Sequence, residues 1–211
     1  DDLQAEAFML RPPVILIGCA GSGKTVLTLE KVKTLRGDVL YVTLSAYLAD
    51  NARNLYYSHN YENEQQNVDF LSFREFLETI RVPAGKPVTF SAYRAWFARH
   101  GHASRIRDPH MVYEEFNGVL TGMPVDRPFL GRDDYLALGV RRSIFLQEHR
   151  PAVHDLFLKY LEWLRQAGLY STNLVAHDYL DRCGRRYDFA VVDEVQDITN
   201  VQLSLILRSL R

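Results

Sequence analysis

Gly18-Cys19-Ala20-Gly21-Ser22-Gly23-Lys24-Thr25 decides how this chain is read. The octapeptide satisfies G-x-x-x-x-G-K-S/T at every fixed position. Small residues at this spacing let consecutive backbone N–H groups turn inward around an anion, at the positive end of the helix that follows. Lys24 then serves as a flexible point charge for the β- and γ-phosphates of a nucleotide, and the Thr25 hydroxyl is placed to ligate Mg²⁺. A Gly-rich turn that merely precedes a lysine would match by chance in roughly one chain of this length in a hundred. The flanks fit the phosphate-loop reading. Val14-Ile15-Leu16-Ile17, introduced by Pro12-Pro13, is an apolar run of buried-strand type. Val26-Leu27-Thr28-Leu29-Glu30-Lys31-Val32 carries apolar residues at helical spacing, so the loop is expected between a strand and a helix.

Working outward, Leu3 to Phe8 reads as a short helix, Val39-Leu40-Tyr41-Val42-Thr43 as a second strand, and Ser45 to Tyr57 as a helix. Val68-Asp69-Phe70-Leu71 follows as a third strand, with Ser72 capping a helix over Phe73 to Ile80. Strands and helices alternate with connections too long for hairpins, which predicts a parallel α/β sheet. From about Val82 the pattern changes to helices without strands: Ser91 to His100, Pro109 to Leu120 with Asp108 as N-cap, and Arg150 to Leu164. Val153, Leu156, Phe157, Tyr160, Leu161 and Leu164 recur at helical spacing, and Trp96, Phe97 and Trp163 are expected in the same small core. Tyr187 to Val192 returns to strand. Residues 82–186 are therefore expected as a helical insertion into a core formed by 1–81 and 187–211.

Composition excludes several classes. At 47% apolar and 24% charged residues, the 211-residue chain matches a soluble globular protein rather than a disordered or membrane-spanning one. No apolar run approaches the roughly 18 residues that span a bilayer, and the N-terminus resembles no signal peptide. Two cysteines, Cys19 and Cys183, give neither a disulfide framework nor a paired metal spacing, so a reducing cytoplasm is expected. The net charge is only −1 but unevenly spread: residues 81–150 carry 11 basic and 7 acidic side chains, against 7 and 11 in residues 1–80. Four of the seven histidines (His100, His102, His110 and His149) also fall in the middle segment, where polyanion contact outside the phosphate loop is expected.

The returning strand ends in Asp193-Glu194-Val195-Gln196-Asp197, and an apolar strand ending in acids is the partner a phosphate loop requires. Asp193 is positioned to hold hydrated Mg²⁺ between the β- and γ-phosphates, and Glu194 to orient and deprotonate an attacking water. A solvated acidic turn would suffice if the pentapeptide stood alone. Lys24 lies 169 residues upstream with strand-like sequence leading into both segments, which favours the paired reading.

The two motifs together, separated by a helical insertion, resemble the first motor domain of the UvrD/Rep-type helicases of superfamily 1, whose second motif is D-E-x-Q-D. Phosphate-loop kinases fit less well, since Glu194 and Gln196 would have no task there. Weaker echoes lie between. Gln4, followed by Glu6-Ala7, resembles the family's glutamine motif, which reads the adenine edge. Val42-Thr43-Leu44-Ser45 resembles motif Ia and Phe70-Leu71-Ser72-Phe73 motif Ib, both of which line the single-strand path in the family. At motif Ia the chain has Ala46-Tyr47 in place of the common Asn-Lys pair. The resemblance implies a P-loop NTPase core of RecA type with ATP and Mg²⁺ as cofactors, residues 18–25, Gln4 and Gln196 at the nucleotide, Lys24 and Glu194 in catalysis, and Thr25 and Asp193 at the metal. Residues 82–186 become the family's 1B subdomain, and single-stranded DNA the expected partner, with RNA sharing every motif. A nucleotide-switched binding module that unwinds nothing is the alternative. The given chain ends 14 residues after Asp197, so a second motor domain with its arginine finger is expected outside it. Phe70 and Phe73 read as core, and Arg94, Arg99, Arg105 and Arg107 as a solvated basic face with Trp96 nearby for stacking.

Overall fold

The computed structural model describes residues 6, 8–19, 21–101 and 106–211, and over these the chain is a mixed α/β structure with a small parallel sheet. In order, the elements are α1 (Lys24–Val32), β1 (Gly37–Thr43), α2 (Ala46–Tyr56), β2 (Gln66–Ser72), α3 (Phe73–Ile80), β3 (Lys86–Pro87), α4 (Phe90–His100) and α5 (Pro109–Glu114). A π-helical turn (Glu115–Leu120), α6 (Arg132–Leu136), α7 (Arg150–Ala167), β4 (Leu169–Tyr170), α8 (Thr172–Tyr179), β5 (Phe189–Val192) and α9 (Asn200–Arg208) follow, with 3-10 turns at Ser58–Asn60, Val140–Arg142 and Val195–Asp197. Two compact units result. The first comprises Asp1–Phe76, Arg185–Asp197 and Ser209–Arg211, and the second Leu77–Gly184 and Ile198–Arg208.

The first unit is built on the sheet β2-β1-β5, parallel throughout. β1 is central because its run Val39-Leu40-Tyr41-Val42 is wholly apolar or aromatic and is buried on both faces. Tyr41 stands opposite Phe70 of β2 and Val191 of β5, which fixes the register. Leu29 and Val32 of α1, and Ala52 and Tyr56 of α2, pack with Val39, Tyr41 and Phe70 into one apolar cluster. Each large apolar side chain fully buried there contributes about 1.5–3 kcal/mol. Helix starts are held locally. Ser45 Oγ accepts from Leu48 N at 3.5 Å at the head of α2. At α3, Ser72 Oγ accepts from Glu75 N at 3.3 Å while a Glu75 carboxylate oxygen accepts from Ser72 N at 2.7 Å, a reciprocal capping box.

One expected strand is not present. Val14 to Ile17 makes no strand pairing, and Ile15 and Ile17 are 81% and 94% exposed. A strand needs a partner edge. Among the described residues, β5 pairs along Phe189–Val192 with β1, and the chain beside Tyr187 is Leu210, joined to it by an isolated parallel bridge. The run 14–17 joins no ladder, and the outer edge of β5 over Phe189–Val192 is paired with no described strand.

The second unit is mainly helical around a core containing Tyr93, Trp96, Phe116, Tyr135, Phe157 and Tyr160. Asp108 caps α5 as its sequence predicts, accepting from His110 N at 2.8 Å and Met111 N at 3.3 Å, with Pro109 at the first helical position. The expected continuous helix to Leu120 loosens after Glu114 into the π-helical turn, where Thr121 N donates to Phe116 O, five residues back, at 3.0 Å. Two further expectations are corrected. The insertion is not strandless, because β3 and β4 form a two-residue parallel pair. Nor does the first unit keep residues 198–208. Val201, Leu205 and Ile206 are buried, Val201 N donates to Gly122 O at 3.2 Å, and Thr199 Oγ1 donates to Asn173 Oδ1 at 3.0 Å, so this amphipathic helix belongs to the second unit. No helix among the described residues is long and apolar enough to cross a membrane.

Candidate functional site

The site lies in the first unit, where the carboxyl ends of parallel strands meet the loop that opens α1. Open α/β sheets bind ligands outside this edge. The loop's glycines supply backbone that other residues resist: Gly21 has φ 76° and Gly23, the residue before α1, has φ 78°. Ser22 N donates to Cys19 O at 3.3 Å, which turns the loop tightly. Lys24 Nζ folds back over it and donates to the carbonyls of Gly18 at 2.8 Å and Cys19 at 2.9 Å. The cation is thus held above the loop by acceptors that an anion can replace.

The acids come from the end of β5. Asp193 N donates to Val42 O at 3.0 Å, extending the ladder by one residue and fixing where the carboxylate emerges. Three donors converge on that carboxylate. Glu194 N reaches Oδ1 at 3.0 Å, while Thr25 Oγ1 at 3.2 Å and the Tyr41 hydroxyl at 2.5 Å both reach Oδ2. Thr25 and Asp193 are 168 residues apart in sequence, so the Gly-rich loop and the acidic motif come together through the fold. Glu194 is exposed and sits at φ 51°, a left-handed conformation uncommon for a side chain of its kind and enriched at functional sites. Gln196 Nε2 donates to Glu194 Oε2 and so orients the free carboxylate.

Tyr41 is the residue that sequence reasoning missed. In an apolar run it reads only as a core aromatic, and no spacing rule marks its hydroxyl. Burial, the hydrogen bond to Asp193 and the negative charge of Asp193, in that order, push its pKa far above the usual tyrosine value, so it stays a donor. Thr43, two residues on and on the same face of β1, is fully buried, and its hydroxyl has no hydrogen-bond partner.

No protein-family model and no curated protein matches the chain.

The donor set fits a hard divalent cation. No group of three or more His, Cys, Asp or Glu side chains able to hold a metal by themselves occurs among the described residues. Mg²⁺ needs none, because it is held through one or two carboxylates, substrate phosphates and water. A hydroxyl and a carboxylate 3.2 Å apart beside a phosphate-loop lysine supply the protein's share. Among the other sequence candidates, Gln4, Ala20 and Arg105 lie outside the described residues. Phe70 and Phe73 are buried core residues. Trp96 is 1% exposed and stacked between His100 and Trp163, so its face is taken and the stacking role is withdrawn. Arg94 and Arg107 line a cavity with Phe97 and Ile106. In the segments resembling motifs Ia and Ib, Ser45 and Ser72 act as helix caps, Leu44 is exposed, and so is Tyr47 just after motif Ia.

Proposed function

We propose that this chain binds ATP with Mg²⁺ and is the N-terminal motor domain of an ATP-dependent DNA helicase or translocase, with a RecA-like P-loop core. The contact of Thr25 with Asp193 carries the nucleotide reading, since it brings the two halves of a phosphate and metal site to one sheet edge. The helicase reading rests on the D-E-V-Q-D motif and on the mainly helical unit whose larger part, Leu77–Gly184, lies between the motifs in sequence.

In this reading the loop amides and Lys24 bind the β- and γ-phosphates, with Lys24 exchanging the Gly18 and Cys19 carbonyls for phosphate oxygens. Thr25 and Asp193 hold the metal, which when bound neutralises charge on the β- and γ-phosphates. Glu194, kept in place by Gln196 and its own backbone, orients the attacking water and takes its proton. Single-stranded DNA is the substrate track, and the charge stabilisation that completes hydrolysis comes from a second motor domain.

Calorimetry with ATP and Mg²⁺ tests the reading on residues 1–211. Lys24→Ala is expected to weaken binding by about 1.5–3 kcal/mol, the worth of a hydrogen bond to a charged group. Binding unchanged by that substitution overturns the site. Hydrolysis by the isolated chain is expected to be slow, because an arginine finger contributes about 10³ to 10⁵ in turnover.

A further inference from the structure

We infer that Tyr41 is the positioning residue for the Asp193 carboxylate and sets how strongly Mg²⁺ tightens nucleotide binding. The inference rests on the nucleotide reading above and deepens it. Asp193 follows the last residue of β5, and its side chain would be free to rotate but for its hydrogen bonds. Of the three donors, Glu194 N comes from the residue next in sequence and moves with it. Thr25 is itself a candidate metal ligand, so its oxygen is called on when a cation arrives. Tyr41 has neither limitation.

It comes from the central strand, paired on both sides, and its ring is 1% exposed and 5.3 Å from the ring of Phe70. A phenylalanine would pack in that cluster equally well, as Phe70 does. The hydroxyl therefore has one visible task, to donate at 2.5 Å to Asp193 Oδ2. It cannot relinquish this acceptor cheaply, since a buried hydroxyl without a partner is costly. Asp193 is thereby held oriented before any metal arrives. Preorganisation of this kind is worth most where the ligand must be desolvated, as Mg²⁺ must in part.

The test uses Tyr41→Phe, which keeps the ring and deletes the hydroxyl, with ATP affinity measured by calorimetry in excess Mg²⁺ and again in EDTA. The expected result is an affinity in EDTA within about twofold of wild type and a Mg²⁺ enhancement about tenfold smaller, the scale of one hydrogen bond to a charged group. An enhancement equal to wild type overturns the proposal, and so does an equal loss with and without Mg²⁺, which would make Tyr41 a packing residue. If wild type binds ATP with no help from Mg²⁺, the nucleotide–metal reading fails first and this inference with it. Thermal unfolding of the variant within a few degrees of wild type is expected, and a collapse of the fold would likewise place Tyr41 in packing alone.

Discussion

Two carboxylates in this chain are wired alike and do different work. Asp193 accepts from a tyrosine hydroxyl (Tyr41), an aliphatic hydroxyl (Thr25) and a backbone N–H (Glu194). Glu115, at the start of the π-helical turn in the second unit, accepts from the hydroxyls of Tyr135 and Ser143 and from Ile144 N. The donor chemistry is the same, and exposure is what differs. Glu115 is fully buried, while Asp193 is half-buried at a strand end with exposed Glu194 beside it. A sealed carboxylate can only hold its own chain. With Arg150, also buried and donating to the carbonyls of Phe145, Leu136, Leu138 and Gly139, Glu115 fixes the segment from the end of α6 to Phe145, which carries only a 3-10 turn at Val140–Arg142. An open carboxylate with the same wiring is preorganised for something from outside. A satisfied polar network therefore marks a site only where one side remains reachable.

The comparison breaks first on stability. Glu115→Ala leaves the buried Tyr135 hydroxyl and the Ile144 N–H without this acceptor, while the half-buried Ser143 hydroxyl keeps Phe145 O, so at about 1–3 kcal/mol for each orphaned group a loss of about 2 kcal/mol or more is expected. Both tryptophans, Trp96 and Trp163, lie in the second unit, so denaturant unfolding followed by tryptophan fluorescence reads that unit alone. A loss below about 1 kcal/mol would mean that Glu115 is not the scaffold its burial implies. The opposite is expected of Asp193→Asn, which retains an acceptor oxygen but not the charge. Thermal unfolding by circular dichroism should change by no more than about 1 kcal/mol, because water reaches the strand end. The Mg²⁺ enhancement of ATP binding should nonetheless disappear. An Asp193→Asn chain as unstable as Glu115→Ala would erase the distinction between scaffold and site.

What the sequence made legible followed from local rules. The runs at Val39 and Phe189 lie in paired strands, Asp108 and Ser72 cap the helices predicted for them, and the loop glycines adopt the backbone that their spacing demands. Each of these depends on residues within a turn of one another. What was not legible depends on distant partners. Val14 to Ile17 is as apolar as β1, yet it pairs with no described strand, and composition alone does not say whether a run will join an edge. Helix α9 has an ordinary amphipathic pattern, and nothing in it says which unit its buried face will meet. Tyr41 and Glu115 owe their roles to hydroxyls and carboxylates 152 and 20 residues apart, and no periodicity encodes those distances.

The smallest expected effect sharpens the comparison, because it concerns a buried polar group with no satisfied network at all. His154 on α7 is 4% exposed, and neither ring nitrogen has a hydrogen-bond partner; its ring lies 6.0 Å from that of Tyr135, the residue that serves Glu115. Burial pushes its pKa below the ordinary histidine value; the Leu130 backbone offsets part of this, the Arg132 cation adds to the lowering, and the Asp155 carboxylate opposes it least. The sign follows from proton linkage. Below about pH 6.5 the unfolded chain takes up a proton that the folded chain resists, so stability is complete above that value, falls as pH drops through it, and levels off below the folded pKa. One proton limits the slope to about 1.4 kcal/mol per pH unit. Denaturant midpoints read by tryptophan fluorescence should therefore drop from pH 7.5 to pH 5, and His154→Gln should flatten that drop. The amide tolerates the pH change, and the exposed His149 contributes equally to both chains. Parallel pH profiles for the two proteins would show that His154 titrates alike folded and unfolded, and that an unpartnered imidazole in this core is no liability.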